Sequence, residues 1–157
     1  MTLPYDDVWT TQGEVRGAAL WTPPGKWKLG LFEQLLMAPQ MLSAFGWRRL
    51  GRVLDSMNVV QKHHPTTPHY YLQSVGVAPE LQGRGLGKAL LQPVLERCDR
   101  ERWPAFLETA QERNLPLYRS RGFVEISRAP LAGGGPMMIF MWREPCEPVL
   151  AMAPQRP

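Results

Sequence analysis

Along this chain the spacing of apolar residues changes several times, and each change marks an element. Residues in "VWTTQGEVRGAALW" alternate as two strands, Val8 to Thr11 and Val15 to Trp21, joined around Gln12 and Gly13 and stopped by Pro23, Pro24 and Gly25. They form a hairpin. Between Leu29 and Lys62, Leu31, Leu35 and Leu36, then Leu50, Val53, Leu54 and Met57, recur every three or four positions. That is the spacing of helices with one buried stripe, and Pro39 and Gly46 break the region into two or three pieces. "HHPTTPHYYLQSVGV" passes from a proline-rich loop into a strand over Tyr70 to Val77, ended by Pro79. Leu86, Ala89, Leu90, Val94 and Cys98 then share one face of a helix reaching about Asp99, in which Pro93 removes a hydrogen bond to the Ala89 carbonyl. "PAFLETA" reads as a short buried strand. "NLPLYRSRGF" reads as a two-turn helix with Asn114 as N-cap, Pro116 in the first turn and Gly122 just past the end. "FVEISRAP" and "PMMIFMW" close the pattern as a hairpin across "LAGGG", one domain over residues 1–143, and the proline-rich stretch 144–157 reads as a loose tail.

Composition narrows the classes of function. A chain of 157 residues, 44% hydrophobic and 20% charged, suits one globular domain with a real core. No apolar run approaches the roughly 20 residues that span a bilayer, and "MTLPYDDVWT" lacks both the basic start and the apolar stretch of a signal peptide. A cytoplasmic protein with no membrane partner is expected. Cys98 and Cys146 are too few for a disulfide framework and read as plain thiols. The net charge of +4, from 18 basic and 14 acidic residues, is compatible with an anionic ligand but far from a nucleic-acid-binding composition. Arg48, Arg49 and Arg52 accordingly read as a solvated helix face. His63, His64 and His69 lie in a proline-rich loop with no carboxylate or cysteine beside them, so solvated side chains are expected there and no metal site.

The chemistry concentrates in "VGVAPELQGRGLGKALL", residues 75–91. A P-loop anchored on Gly87 and Lys88 fails at both ends, with Gln82 and Ala89 where glycine and a hydroxyl residue belong. A GxGxxG dinucleotide motif begun at Gly83 meets Lys88 where its last glycine should stand, and begun at Gly85 it meets Leu90. What remains is a run of exposed backbone amides, Gly83 to Lys88, at a helix N-terminus. Glycine there lets a pyrophosphate approach, the helix dipole favours its charge, and Arg84 and Lys88 can add contacts.

This stretch resembles the acetyl-CoA-binding motif of the GNAT superfamily of N-acetyltransferases: a strand ending in V-x-V-x-P, then Q/R-x-x-G-x-G/A, matched here by Gln82, Gly85 and Gly87. Downstream, "NLPLYRSRGF" is similar to the family's later segment, with Asn114, Tyr118, Gly122 and Phe123 on its functional and structural positions. The resemblance covers residues 8 to 143 in element order. It implies a mixed α/β (α+β) fold with a mostly antiparallel sheet, a splayed central parallel pair and flanking helices. It further implies that the pantetheine arm of acetyl-CoA lies between the splayed strands, against Val75, Gly76 and Val77, while Gln82, Gly83, Arg84, Gly85, Leu86, Gly87 and Lys88 surround the pyrophosphate and Asn114 contributes to the same cofactor site.

On that resemblance the reaction is direct acetyl transfer to a primary amine in a ternary complex, with Tyr118 as the acid that protonates the departing CoA thiolate. A phenol can do this with little loss of driving force, since its pKa near 10 lies close to the roughly 8.5 of a thiol. The family often places a glutamate base on the strand of the V-x-V motif, but "YYLQSVGV" has none, which leaves Glu108 and His69 as substitutes. Trp27, Phe32, Phe45 and Trp47 serve equally as an acceptor pocket or as core. A catalytically silent acyl-CoA sensor on the same fold is the alternative function. The resemblance also implies that the family's first strand and helices are missing, leaving Val8 to Thr11 as an open edge that a second copy of the chain would cover, unless the natural sequence begins earlier.

Overall fold

The computed structural model describes residues 7–11, 13–26, 43, 46 and 51–146. The helical pieces expected before residue 51, with Trp27, Phe32, Phe45, Trp47, Arg48 and Arg49, and the tail from residue 147 onward lie outside them. Gly46, expected as a break, is helical with a positive φ of 67°.

Six strands among the described residues form one sheet: β1 (Asp7–Thr10), β2 (Gly17–Thr22), β3 (Tyr70–Val77), β4 (Ala105–Thr109), β5 (Val124–Pro130) and β6 (Met137–Arg143), in the spatial order β1-β2-β3-β4-β6-β5. The N-terminal hairpin pairs Asp7 with Trp21, and its turn is organised by Thr11, whose Oγ1 donates to the Glu14 carbonyl and accepts from the Arg16 amide. β1 sits at the sheet edge with Val8 44% exposed. The second hairpin pairs Pro130 with Met137 across the glycine turn. Between the two hairpins, β3 and β4 are the parallel neighbours.

Helix α1 comprises the described helical residues 51–63, α2 is Leu86–Glu101 and α3 is Leu115–Arg119. Against the β2–β3–β4 face lie Leu90, Leu91, Val94, Leu95 and Cys98 of α2 and Leu115 and Tyr118 of α3, in one cluster with Trp21, Leu72 and Leu107. The opposite face carries Phe106, Phe140 and Ala129, with Val59 and Val60 of α1 packed on them. The sheet therefore has an α2 face and an α1 face.

Three sequence expectations are corrected. Ala89 is exposed, because the buried stripe of α2 is centred on Leu91, Val94 and Cys98, which puts residue 89 on the far side of the helix. Leu54 and Met57 are exposed by 47% and 43%, since α1 turns Val59 and Val60 to the sheet instead. The third helix is five residues long, and Asn114 makes no side-chain cap; its backbone is already helical at φ −88°, ψ −14°. Beyond β6 the chain is at first tied down, with the Cys146 amide donating to Asp99 Oδ1 at 2.8 Å.

Candidate active site

The parallel pairing of β3 and β4 lasts for three residues, Tyr70 with Ala105, Tyr71 with Phe106 and Leu72 with Leu107. β3 then continues for five residues without β4 beside it, so the strands part at their C-terminal ends. A bulge controls what faces the resulting gap. Across β2, Trp21 opposes Leu72 and Leu20 opposes Ser74, which leaves Gln73 as the extra residue of β3. The bulge reverses the parity of the strand. The Ala78 amide donates to Arg16, so by antiparallel alternation Gly76 and Ser74 turn their peptide groups to β2, and Val75 and Val77 turn theirs into the gap. Gln82 already engages one of these groups, its Nε2 donating to the Val77 carbonyl at 3.1 Å. Gly76, expected to contact the cofactor, faces β2 with its backbone, and the space its missing side chain leaves is open.

At the end of β3 a short turn, Pro79–Leu81, leads into the glycine loop. Gly83 and Gly85 have φ values of +75° and +83°, and a Cβ built on either meets no atom within 4 Å. Gly85 is the N-cap of α2, with no side chain to cap it, and its carbonyl receives the first helical bond, from the Ala89 amide. The amides of Leu86, Gly87 and Lys88 therefore have no acceptor within the helix. Arg84 and Lys88 are exposed beside them. This cradle fits a pyrophosphate: open space, uncapped amides at the positive end of a 16-residue helix, and flanking cations. Gly87 has a different function, because a Cβ there would stand 3.3 Å from Cδ2 of Leu117, and its absence lets α3 approach α2.

That approach delivers Tyr118 to the α2 face, where it is 5% exposed and set edge-on to Phe123. Burial pushes its phenol up, and the Asn114 side chain, in hydrogen-bonding reach of it, acts the other way. So Asn114 stands at the start of α3 but its side chain is directed to Tyr118 instead of capping the helix. Arg121, at the close of the same segment, donates to Gln92 of α2 at 2.5 Å.

Glu108 projects from the opposite face, one residue past the last β3–β4 pair. Its Oε1 accepts a hydrogen bond from the Tyr71 hydroxyl, while Oε2 is buried with no partner. Burial is the main cause of a carboxyl pKa pushed up to about 7, partly opposed by the Tyr71 hydrogen bond. The histidines differ from the sequence expectation. His64 and His69 are buried, with their Nε2 atoms 3.1 Å apart, and His63 stacks on Phe140 at 4.7 Å. Aromatic neighbours exclude water from His64 and His69, which a proline-rich stretch of sequence does not reveal, while His63 stays partly exposed. His69 also has Nδ1 on the Thr67 carbonyl and a pKa lowered chiefly by burial, and it precedes the first residue of β3, at the end of the strand away from the gap. No cluster that could hold a metal ion occurs among the described residues. Further along the α1 face, Val53, Met57 and Val60 look across a cavity of about 650 Å³ at Leu131 and the glycine turn, where Arg52 lies over Gly133. The cavity lies at the end of the sheet where β3 and β4 part, since β6 begins there, pairing Ile139 with Thr109.

Sequence reasoning singled out the loop, Val75, Val77, Tyr118 and Glu108, which the structure sets respectively at the N-terminus of α2, beside the gap, on the α2 face and on the opposite face. It missed Tyr71 and the bulge. A signal for the bulge was present, because the residues on the α2 face of β3 change from even to odd numbers, Tyr70 and Leu72, then Val75 and Val77. Tyr71 left no comparable trace, since its partnership depends on the β3–β4 register.

Comparison with known proteins agrees with this geometry. The model of the acetyltransferase (GNAT) family matches residues 6–123. An uncharacterized N-acetyltransferase of Schizosaccharomyces pombe is 29% identical over 120 residues, 71% of this chain and 49% of that protein. Among solved structures, one described as histone acetyltransferase HPA2 and related acetyltransferase from Corynebacterium glutamicum aligns with a TM-score of 0.62 at 28% identity, over 92% of this chain and 66% of that one. The Escherichia coli ribosomal-protein-S18-alanine N-acetyltransferase shares the fold at a TM-score of 0.54 and 16% identity, over 97% and 77% of the two chains. The chain thus spans about half the length of its fission-yeast relative and about two thirds of the Corynebacterium structure. With a family match across most of its length and a sheet that parts above an uncapped glycine loop, the chain belongs to the GNAT family of acetyltransferases.

Proposed function

We propose that this protein transfers an acetyl group from acetyl-CoA to a primary amine by direct attack in a ternary complex. One observation supports the reading: Tyr118 lies on the α2 face in the cluster against which Val75 and Val77 pack, and Glu108, with an unpartnered carboxylate oxygen, lies on the opposite face one residue past the last β3–β4 pair. The amides of Leu86, Gly87 and Lys88 bind the pyrophosphate, and the peptide groups of Val75 and Val77 bind the amides of the pantetheine arm in place of the missing strand. Acetyl-CoA supplies the activated thioester. Glu108 takes a proton from the incoming ammonium, whose pKa near 10.4 leaves it almost wholly charged at neutral pH. The freed lone pair forms the new C–N bond, and the C–S bond breaks as Tyr118 gives its proton to the sulfur. The nitrogen then loses its second proton, which through solvent restores the Tyr118 phenol. The amide and free CoA leave with one net proton, the one taken up by Glu108, released to water. The acceptor enters from the α1 face, where Gly76 leaves room and the cavity beside α1 opens.

The test is a panel of small amines, amino acids and peptide N-termini incubated with acetyl-CoA and read by thiol release. Peptide N-termini are included because the Escherichia coli structural neighbour acts, by its name, on an alanine of a ribosomal protein. Release with at least one acceptor, lost in Tyr118→Phe, is the expected result. Tight acetyl-CoA binding with no release from any acceptor would favour a silent acyl-CoA sensor, and no binding at all would end both readings.

A further inference from the structure

We propose that Tyr71 is a positioning residue for this reaction: its hydroxyl holds Oε1 of Glu108 and so presents Oε2 as the single proton-accepting atom at the mouth of the gap. The proposal rests on the reading of Glu108 as the base. Tyr71 pairs with Phe106 across the parallel strands, which places Glu108 two residues further along on the same face, just past the last paired residues. The contact therefore bridges β3 and β4 at the point where they separate.

The ring of Tyr71 is itself fixed. Phe106 lies 6.0 Å away at 33°, and His64 meets it edge-on at 5.0 Å and 82°. His64 is braced in turn by His69, whose Nδ1 contacts the Thr67 carbonyl at 2.6 Å. Burial, together with the nearby negative charge of Glu108, raises the Tyr71 phenol, so the hydroxyl stays protonated and remains a donor. A carboxylate has two equivalent oxygens and free rotation about its last bond. Donation to one of them removes that equivalence. Oε2 then remains buried with no other hydrogen bond, which is unfavourable for an ordinary structural carboxylate and useful for one that must accept a proton. Among the described residues, the titratable groups on the Glu108 side of the sheet are Tyr71 from β3, His63 at the end of α1, and His64 and His69 between α1 and β3, while β6 contributes Met138, Phe140 and Trp142 to that surface.

Tyr71→Phe keeps the ring and removes the donor. Because that donor favours the ionised carboxylate, its loss raises the carboxyl pKa, and the acid limb of kcat/KM moves to higher pH. At pH 6.5 kcat falls about tenfold, the order expected for losing one hydrogen bond to a charged group. Acetyl-CoA affinity stays close to wild type, and circular dichroism checks that the variant remains folded. A carbon-13 titration of the Glu108 carboxyl in the two proteins moves in the same direction and needs no turnover. If Glu108→Gln is inactive while Tyr71→Phe leaves both the acid limb and the carboxyl titration in place, Tyr71 does not position the base. If Glu108→Gln retains full activity, the base reading itself is wrong, whatever Tyr71 does.

Discussion

Burial acts on Tyr118 and Glu108 in the same direction, and the proposed reaction uses the result in opposite ways. Raising a phenol keeps its proton in place until a thiolate appears, whereas raising a carboxyl makes its ionised form a stronger base. The second effect has a cost in stability. A folded-state pKa of about 7 against an ordinary value of 4.5 means that folding favours the protonated form of Glu108, so this group's contribution is complete below pH 4.5 and is lost as pH rises through 7. Glu108→Gln, which never ionises, should therefore be more stable relative to wild type at pH 8 than at pH 5, by about 3 kcal/mol at most. Urea denaturation at the two pH values checks this, and an unchanged difference would mean that the carboxyl is better solvated than its burial implies. Cofactor binding and proton transfer should also separate. Tyr118→Phe is expected to lower kcat on the order of 10² with acetyl-CoA affinity retained, and Gly85→Val to abolish binding because its φ of +83° excludes a branched side chain. Equilibrium binding beside steady-state rates distinguishes the two.

At the scale of elements, the meeting of α2 and α3 decides where Tyr118 stands, and Gly87 sets how close they come. Gly87→Val puts two methyl groups where Leu117 now packs, without the backbone strain of Gly85. The expected cost is about 1 to 3 kcal/mol of folding stability, with a loss of kcat from displaced Tyr118, measurable by denaturation and by turnover. Both glycines belong to one sequence motif, and the motif does not say that one serves the backbone and the other the packing. The sequence was most legible where an element is fixed by its own residues: β3 occupies Tyr70–Val77, between the proline-rich loop and the proline stop that mark it. It was least legible where a partner decides. Ala89 and Met57 have the right spacing for burial but the wrong rotation relative to the sheet, and Asn114 has the chemistry of a helix cap yet is set against Tyr118.

At the scale of the whole molecule, Arg143 at the end of β6 donates to Asp99 of α2 at 2.8 Å and to the Arg121 carbonyl, joining β6 to α2 and to the turn that follows α3. Burial pushes Asp99 up, but its hydrogen bonds from Arg143 and Cys146 outweigh this and hold its carboxyl below the usual range. The stabilisation is present above the ordinary carboxylate pKa and is lost on acidification through the lowered value. The sheet separates an α2 face from an α1 face and opens where β3 and β4 part, and on the proposed reading acetyl-CoA is held on the first side and the acceptor enters from the second. The two products of such an arrangement leave by separate exits and need not wait for each other. Free CoA should then compete with acetyl-CoA yet inhibit noncompetitively against the amine, and double-reciprocal plots should intersect; parallel lines would instead reveal an acetylated enzyme and a shuttle through a single door.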